Sequence, residues 1–161
     1  MGTLPTQARV EFVADAPIDA GWALVADVTR TGEWSHECVS SEWLDGATAA
    51  EPGARFRGRN KQGRNRWSRV CEVLDVDRPT RFAFTTVPTA IYRDQTRWSF
   101  ELEAVGPDRT RIVESYEITK LSPLMSRLLY YVVPAHRDRT AALTEDLRRL
   151  GAVAQRNVAH P

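Results

Sequence analysis

Apolar and polar positions alternate with period two through much of the first 118 residues, and the spacing then turns helical. Val10, Phe12 and Ala14 alternate within Arg9–Ala14 and predict a first strand. Asp15-Ala16-Pro17 is a helix start, and Ile18, Trp22, Val25 and Val28 follow at helical spacing, so an amphipathic helix is predicted over Pro17–Val28. Arg30–Trp34 breaks it and predicts a second, short helical turn. Further strands are predicted at Cys38–Leu44, Arg81–Val87, Arg93–Ala104 and Arg109–Ile118. Pro88–Tyr92 reads as a loop with exposed Ile91 and Tyr92. In the last two strands Trp98, Phe100 and Leu102 share one face, as do Ile112, Glu114, Tyr116 and Ile118. Pairing Leu102 with Ile112 then sets Phe100 opposite Glu114 and Trp98 opposite Tyr116.

Between these strands lies a hairpin over Ala54–Val73, its second arm running to about Val76, with Gln62-Gly63 as the expected turn. That turn pairs Lys61 with Arg64, Gly58 with Trp67 and Phe56 with Arg69. One face carries Arg55, Arg57, Arg59, Lys61, Arg64 and Arg66, a solvated cationic face. The other carries Phe56, Gly58, Asn60, Asn65, Trp67, Arg69, Cys71 and Val73. Aromatics mixed with amides and a guanidinium do not make a dry core, because unpaired polar groups are costly to bury. They describe the wall of a binding cavity.

From Ser122-Pro123, a cap followed by proline, the pattern is helical. Leu124, Met125, Leu128, Leu129 and Val132 form an apolar stripe, Pro134 is expected to kink or break it, and Leu143, Leu147 and Leu150 continue beyond. Residues 1–7 and 156–161 are expected to be loose. A strand, two short helices, six strands and a long C-terminal helix make an α+β arrangement in one domain spanning 1–161.

Composition narrows the partners. The net charge of +1 gives no global push toward nucleic acid, although 20 of the 22 basic residues are arginine. No apolar run is long enough to span a bilayer, and the N-terminus has no signal-peptide pattern, so the cytoplasm is the expected compartment and no stable membrane insertion is expected. Cys38 and Cys71 fit no metal or redox spacing and read as small buried hydrophobes. No two histidines have ligand spacing, and no glycine-rich nucleotide motif follows a strand, so neither a metal nor a cofactor is expected.

The blocks Gly32-Glu-Trp-Ser-His-Glu-Cys, Trp43-Leu-Asp-Gly, Gly53-Ala-Arg-Phe-Arg-Gly-Arg-Asn, Trp98-Ser-Phe-Glu-Leu and Thr110-Arg-Ile-Val-Glu-Ser-Tyr-Glu resemble the polyketide cyclase/dehydrase branch of the START-like SRPBCC superfamily. The similarity runs from about Ala8 to Ala154. It implies a helix-grip fold, in which a curved seven-stranded antiparallel sheet wraps around a long C-terminal helix, and a deep pocket for an apolar small molecule such as a lipid or polyketide. The family carries no universal catalytic motif.

Within such a pocket Glu114 is the leading candidate for acid–base chemistry, since burial raises a carboxyl pKa toward neutrality; the alternative is a structural pairing with an inward arginine such as Arg69. His36 is the second candidate, a histidine beside the break at Trp34, while His136 and His160 read as surface residues. Arg69 and Tyr116 could hold a ligand oxygen. Trp34, Phe56, Gly58, Asn60, Trp67, Phe84, Trp98, Phe100, Met125, Leu128 and Leu129 complete the expected ligand wall. The leading expectation is a binding module for a lipid- or polyketide-like molecule. A cyclase or dehydratase acting in the same cavity is the alternative, and an interaction protein using the arginine face comes third. No nucleic acid partner is expected, and Ile91 and Tyr92 are candidates for a lid or a homodimer contact.

Overall fold

The computed structural model describes residues 2–161. Seven antiparallel strands form one sheet in the order β1-β7-β6-β5-β4-β3-β2. They are β1 (Gln7–Ala14), β2 (Cys38–Trp43), β3 (Arg55–Gln62), β4 (Asn65–Asp77), β5 (Arg81–Thr86), β6 (Gln95–Gly106) and β7 (Arg109–Lys120). β1 crosses over to pair with β7, so the chain closes the far edge with its first strand. The β6–β7 register is the predicted one: Leu102 faces Ile112, Phe100 faces Glu114 and Trp98 faces Tyr116.

The β3–β4 turn is displaced from expectation. Gln62 pairs with Asn65, so Gly63-Arg64 forms the turn, and Gly58 faces Arg69 while Phe56 faces Cys71. Gly63 adopts φ +60°, the left-handed value that a tight hairpin demands at its first central position and that Gln62 would adopt only with strain. The register moves by two residues, which preserves both faces.

Two short helices follow β1. α1 (Ile18–Val25) stops before the predicted Val28 because the Asp27 side chain accepts from the Thr29 amide and starts a separate 3₁₀ turn, Val28–Glu33. Trp22, Leu24 and Val25 on α1 are buried. The long C-terminal helix is divided at Pro134, where a kink or break is expected: α2 (Pro123–Val132) ends before a 3₁₀ turn at Pro134–His136, and α3 (Thr140–Ala159) begins beyond it. The two halves differ. α3 buries Leu143, Leu147 and Leu150, and a Cβ at Gly151 would stand 3.0 Å from the Ala14 Cβ, which is how closely the helix lies on β1. α2 buries no residue.

Both ends are more ordered than expected. The Leu4 side chain is buried and its amide donates to Ser126 Oγ at 3.1 Å, so the lead-in runs along α2. At the other end only His160 and Pro161 lie beyond α3.

Candidate ligand cavity

The sheet curls away from α3 along β3–β7 and leaves a cavity of about 1010 Å³, closed on the other side by the 3₁₀ turn, α2 and the first turns of α3. Period-two alternation delivers its sheet wall. Phe56, Gly58 and Asn60 come from β3, Trp67 and Arg69 from β4, Phe84 from β5, Trp98 and Phe100 from β6, and Glu114 and Tyr116 from β7. The rings interlock edge to face, Phe56 against Phe84 at 5.1 Å and Trp34 against Phe100 at 5.8 Å between centroids. Met125 and Leu129 line the cavity from α2. Leu128, expected beside them, does not: it is 52% exposed. The apolar arc of α2 is wider than one contact, and at about 100° per residue Leu128 sits on the side of that arc away from Leu129, turned to solvent.

Glu114 stands between Val10 and Phe100 on the neighbouring strands and is 3% exposed. Its Oε2 is buried without a partner. Burial, and secondarily the Asp146 carboxylate, push its pKa up to about 8, against a smaller pull from Arg139. The carboxyl therefore holds its proton at neutral pH and can give it to a ligand oxygen.

Arg69 is not its partner. The guanidinium donates from Nη1 to Asp94 Oδ2 at 2.9 Å and from Nη2 to the Asp94 carbonyl at 3.1 Å, and it lies 5.1 Å from the centre of the Tyr92 ring. Tyr92 is consequently half-buried rather than exposed. Only Arg69 Nε is left without a partner. Arg69 ties the β5–β6 loop to the cavity rim.

The helical side is charged, and most of it was not anticipated. The Asp146 carboxylate, 2% exposed on α3, accepts from the His36 amide at 2.8 Å and from His36 Nδ1 at 2.7 Å. Those bonds hold the ring with Nε2 as the free nitrogen, an acceptor in the neutral imidazole. Next to it Glu37 joins His136 Nε2 at 3.2 Å and Arg139 Nη2 at 2.6 Å. Burial would raise the Glu37 carboxyl, but the His136 hydrogen bond and the charge of Arg139 outweigh it and hold the pKa below the ordinary value. The Arg139 guanidinium also lies over the rings of Trp98 and Tyr116, at 5.3 and 5.5 Å, while its Nε has no partner.

His136, read from sequence as a surface residue, is thus part of the cavity wall. Asp146 carried a usable signal: it falls on the helix face of Leu143 and Leu150, three residues after one and four before the other, where a charge must find a partner. Glu37 and Arg139 carried none, being polar residues in polar segments.

Both cysteines are free and line the cavity. Cys71 is buried, and burial pushes its thiol up to about 12, which keeps it protonated. Cys38 is half-buried, with Sγ 3.3 Å from Ser41 Oγ. Among the described residues no group of three or more His, Cys, Asp or Glu is placed to hold a metal ion. On the outer hairpin face half of the expected cations are paired: Arg55 with Glu72, and Arg57 and Arg59 with Glu42.

Solved structures share this architecture. The Zhui aromatase/cyclase from Streptomyces sp. R1128 superposes with a TM-score of 0.70 at 18% identity, covering 94% of each chain. Protein TTHA0849 of Thermus thermophilus gives 0.71 at 18% identity over 94% of this chain and 98% of that one. The di-domain ARO/CYC BexL from the BE-7585A biosynthetic pathway gives 0.67 at 16% identity, with 96% of this chain on 48% of that one. At such identities these likenesses concern the fold. No curated protein matches the sequence. Residues 5–155 match the family described as polyketide cyclase/dehydrase and lipid transport, and the chain belongs to that family.

Proposed function

We propose that this protein binds a small, largely apolar molecule carrying several oxygen atoms in the cavity between the sheet and the C-terminal helices. One observation carries the reading: four residues of the cavity lining keep a buried polar atom with no protein partner, namely Trp34 Nε1, Arg69 Nε, Arg139 Nε and Glu114 Oε2. Three are N–H donors, and the protonated Glu114 supplies a fourth. Buried donors without acceptors are rare, and an acceptor-bearing ligand would satisfy them. Native mass spectrometry of the purified protein, followed by denaturing extraction, tests this. A retained molecule with carbonyl or hydroxyl groups is expected in the wild type and is lost in Gly58→Leu. A Cβ at 58 would meet only Ser41 Oγ at 3.6 Å and Cys38 Sγ at 3.8 Å, so the fold tolerates it while the longer side chain fills the cavity. Equal retention by both proteins would refute the site.

A second reading, cyclisation or dehydration of a polyketide-like substrate, is favoured by the pairing of a free His36 Nε2 with a proton-bearing Glu114 on one cavity. A nitrogen with no protein partner and a carboxyl that keeps its proton are the acceptor and the donor that such a reaction needs. His36 Nε2 would take a proton from the carbon next to a ketone, and Glu114 would protonate the departing hydroxyl, which leaves as water. Glu114→Gln would abolish dehydration of an aryl β-hydroxyketone while preserving its binding. Undiminished turnover would remove Glu114 from that role.

A further inference from the structure

The rim of the cavity has a chemistry that its interior does not explain. Gln95 at the start of β6 pairs with Lys120 at the end of β7, so the β5–β6 loop (residues 87–94) and α2 leave the sheet side by side. Of the eleven large hydrophobic residues that are exposed among the described residues, six belong to these two segments: Ile91 on the loop, and Leu124, Met125, Leu128, Tyr131 and Val132 on α2. Ile91 is 83% and Leu124 79% exposed. Single exposed apolar residues need no explanation, but a cluster on two adjoining segments marks a contact surface.

Charge identifies the partner. Twelve of the 22 Lys and Arg residues form ion pairs among the described residues. Of the ten that do not, six gather at this rim: Lys61, Arg64 and Arg66 at the β3–β4 tip, Arg93 on the loop, and Lys120 and Arg127 beside the apolar face of α2. The acids nearby are engaged elsewhere. Asp94 is taken by Arg69, Glu37 by His136 and Arg139, and Asp138 by Thr140, while Glu117 stands opposite Arg97. From Lys120 to Arg137 the sequence contains no acidic residue at all.

We propose that the cavity rim, formed by α2, Ile91 and the unpaired cations around them, docks on the surface of an anionic lipid bilayer. Apolar groups protruding among cations suit an interfacial layer, where the side chains enter the acyl boundary and the cations meet headgroup phosphates. A second copy of the chain fits poorly, because a two-fold contact would set this cationic rim against itself. α2 is about 15 Å long at 1.5 Å per residue, too short to cross a membrane, so it lies in the interface plane. Met125 and Ile91 serve both the rim and the cavity, whereas Leu124, Arg127 and Leu128 do not line the cavity, so substitutions at those three positions probe the surface apart from what the cavity holds.

Flotation with two vesicle preparations tests the proposal: phosphatidylcholine alone, and phosphatidylcholine with phosphatidylglycerol at about 7:3. The wild type is expected to float with the anionic vesicles only, and less so as salt rises. Leu124→Asp/Leu128→Asp and Arg127→Glu, all at exposed positions, should each reduce that binding about tenfold or more while circular dichroism stays unchanged. Three outcomes overturn the proposal: no flotation with either preparation, equal flotation with both, or a wild-type dimer in sedimentation equilibrium that Leu124→Asp/Leu128→Asp dissolves. Loss of fold in the double variant leaves the wild-type lipid and salt dependence to decide.

Discussion

The two walls of the cavity are built by different means. The sheet wall is a lattice of rings placed by strand alternation, in which each residue's direction follows from its parity, with Glu114 and Arg69 as its ionisable exceptions. The helical wall is a network of charges brought together across the chain: His36 meets Asp146 and Glu37 meets His136 and Arg139, over about a hundred residues in each case. The first is held by burial, which is non-directional and forgives substitution by another large apolar group. The second is held by specific hydrogen bonds whose loss leaves a partner stranded. The sheet wall therefore gives the cavity its volume, and the helical wall gives it its polar geometry.

The largest test of that contrast is Asp146→Ala. It removes the acceptor for both the His36 amide and ring inside a nearly sealed site, and should cost about 3 kcal/mol in urea denaturation. Asp146→Asn keeps an acceptor and should recover most of the loss. On the sheet wall, Phe84→Leu should cost about 1 kcal/mol or less, because Phe84 is only half-buried and its neighbours can close around a smaller apolar group. If Asp146→Ala costs no more than Phe84→Leu, the helical wall is not held by its network.

This difference also decides what could be read from the sequence. Trp98, Phe100 and Leu102, facing Tyr116, Glu114 and Ile112, were legible because two clean alternations joined by a short turn admit one sensible register. The hairpin faces survived a misplaced turn because a two-residue slip preserves parity. Leu128 was misassigned because a helix with apolar groups over most of its circumference does not announce which part is inside. Asp146 was visible in principle, as a charge on a buried face. Glu37, His136 and Arg139 were not, since they carry no periodicity and meet only through the tertiary fold.

Glu114 lets the comparison be sharpened by pH, since it sits on the sheet wall but feels the helical one through Asp146 and Arg139. Its folded pKa of about 8 lies above the ordinary 4.5, so in that window the native state keeps a proton that the unfolded chain has released. The contribution to stability is full below the unfolded pKa and is lost as pH rises through the folded one. The loss should amount to about 2 kcal/mol between pH 6 and 8, at 1.36 kcal/mol per unit for one proton. Glu114→Gln has nothing to titrate, so its stability profile should be flatter by that amount. Asp146→Ala should shift the wild-type fall to lower pH, because removing the neighbouring negative charge lowers the pKa of Glu114. Parallel profiles for wild type and Glu114→Gln would show that the carboxyl is not held as the geometry indicates.

The smallest expected effect distinguishes two jobs for Arg69. The side chain ties down the β5–β6 loop through Asp94 and Tyr92, and it also lines the cavity while its Nε has no partner. Breaking the tie from either end, with Arg69→Ala or Asp94→Ala, should cost about 1 kcal/mol for a partly exposed pair. Both should speed amide exchange across residues 88–93 to a similar extent. Ligand affinity separates the variants. If Arg69 only anchors the loop, the two substitutions weaken binding equally. If its Nε also donates to the ligand, Arg69→Ala weakens binding about tenfold more than Asp94→Ala, the effect of one hydrogen bond from a charged group. The second outcome would give the sheet wall a directional contact of its own, and volume alone would no longer describe what that wall contributes.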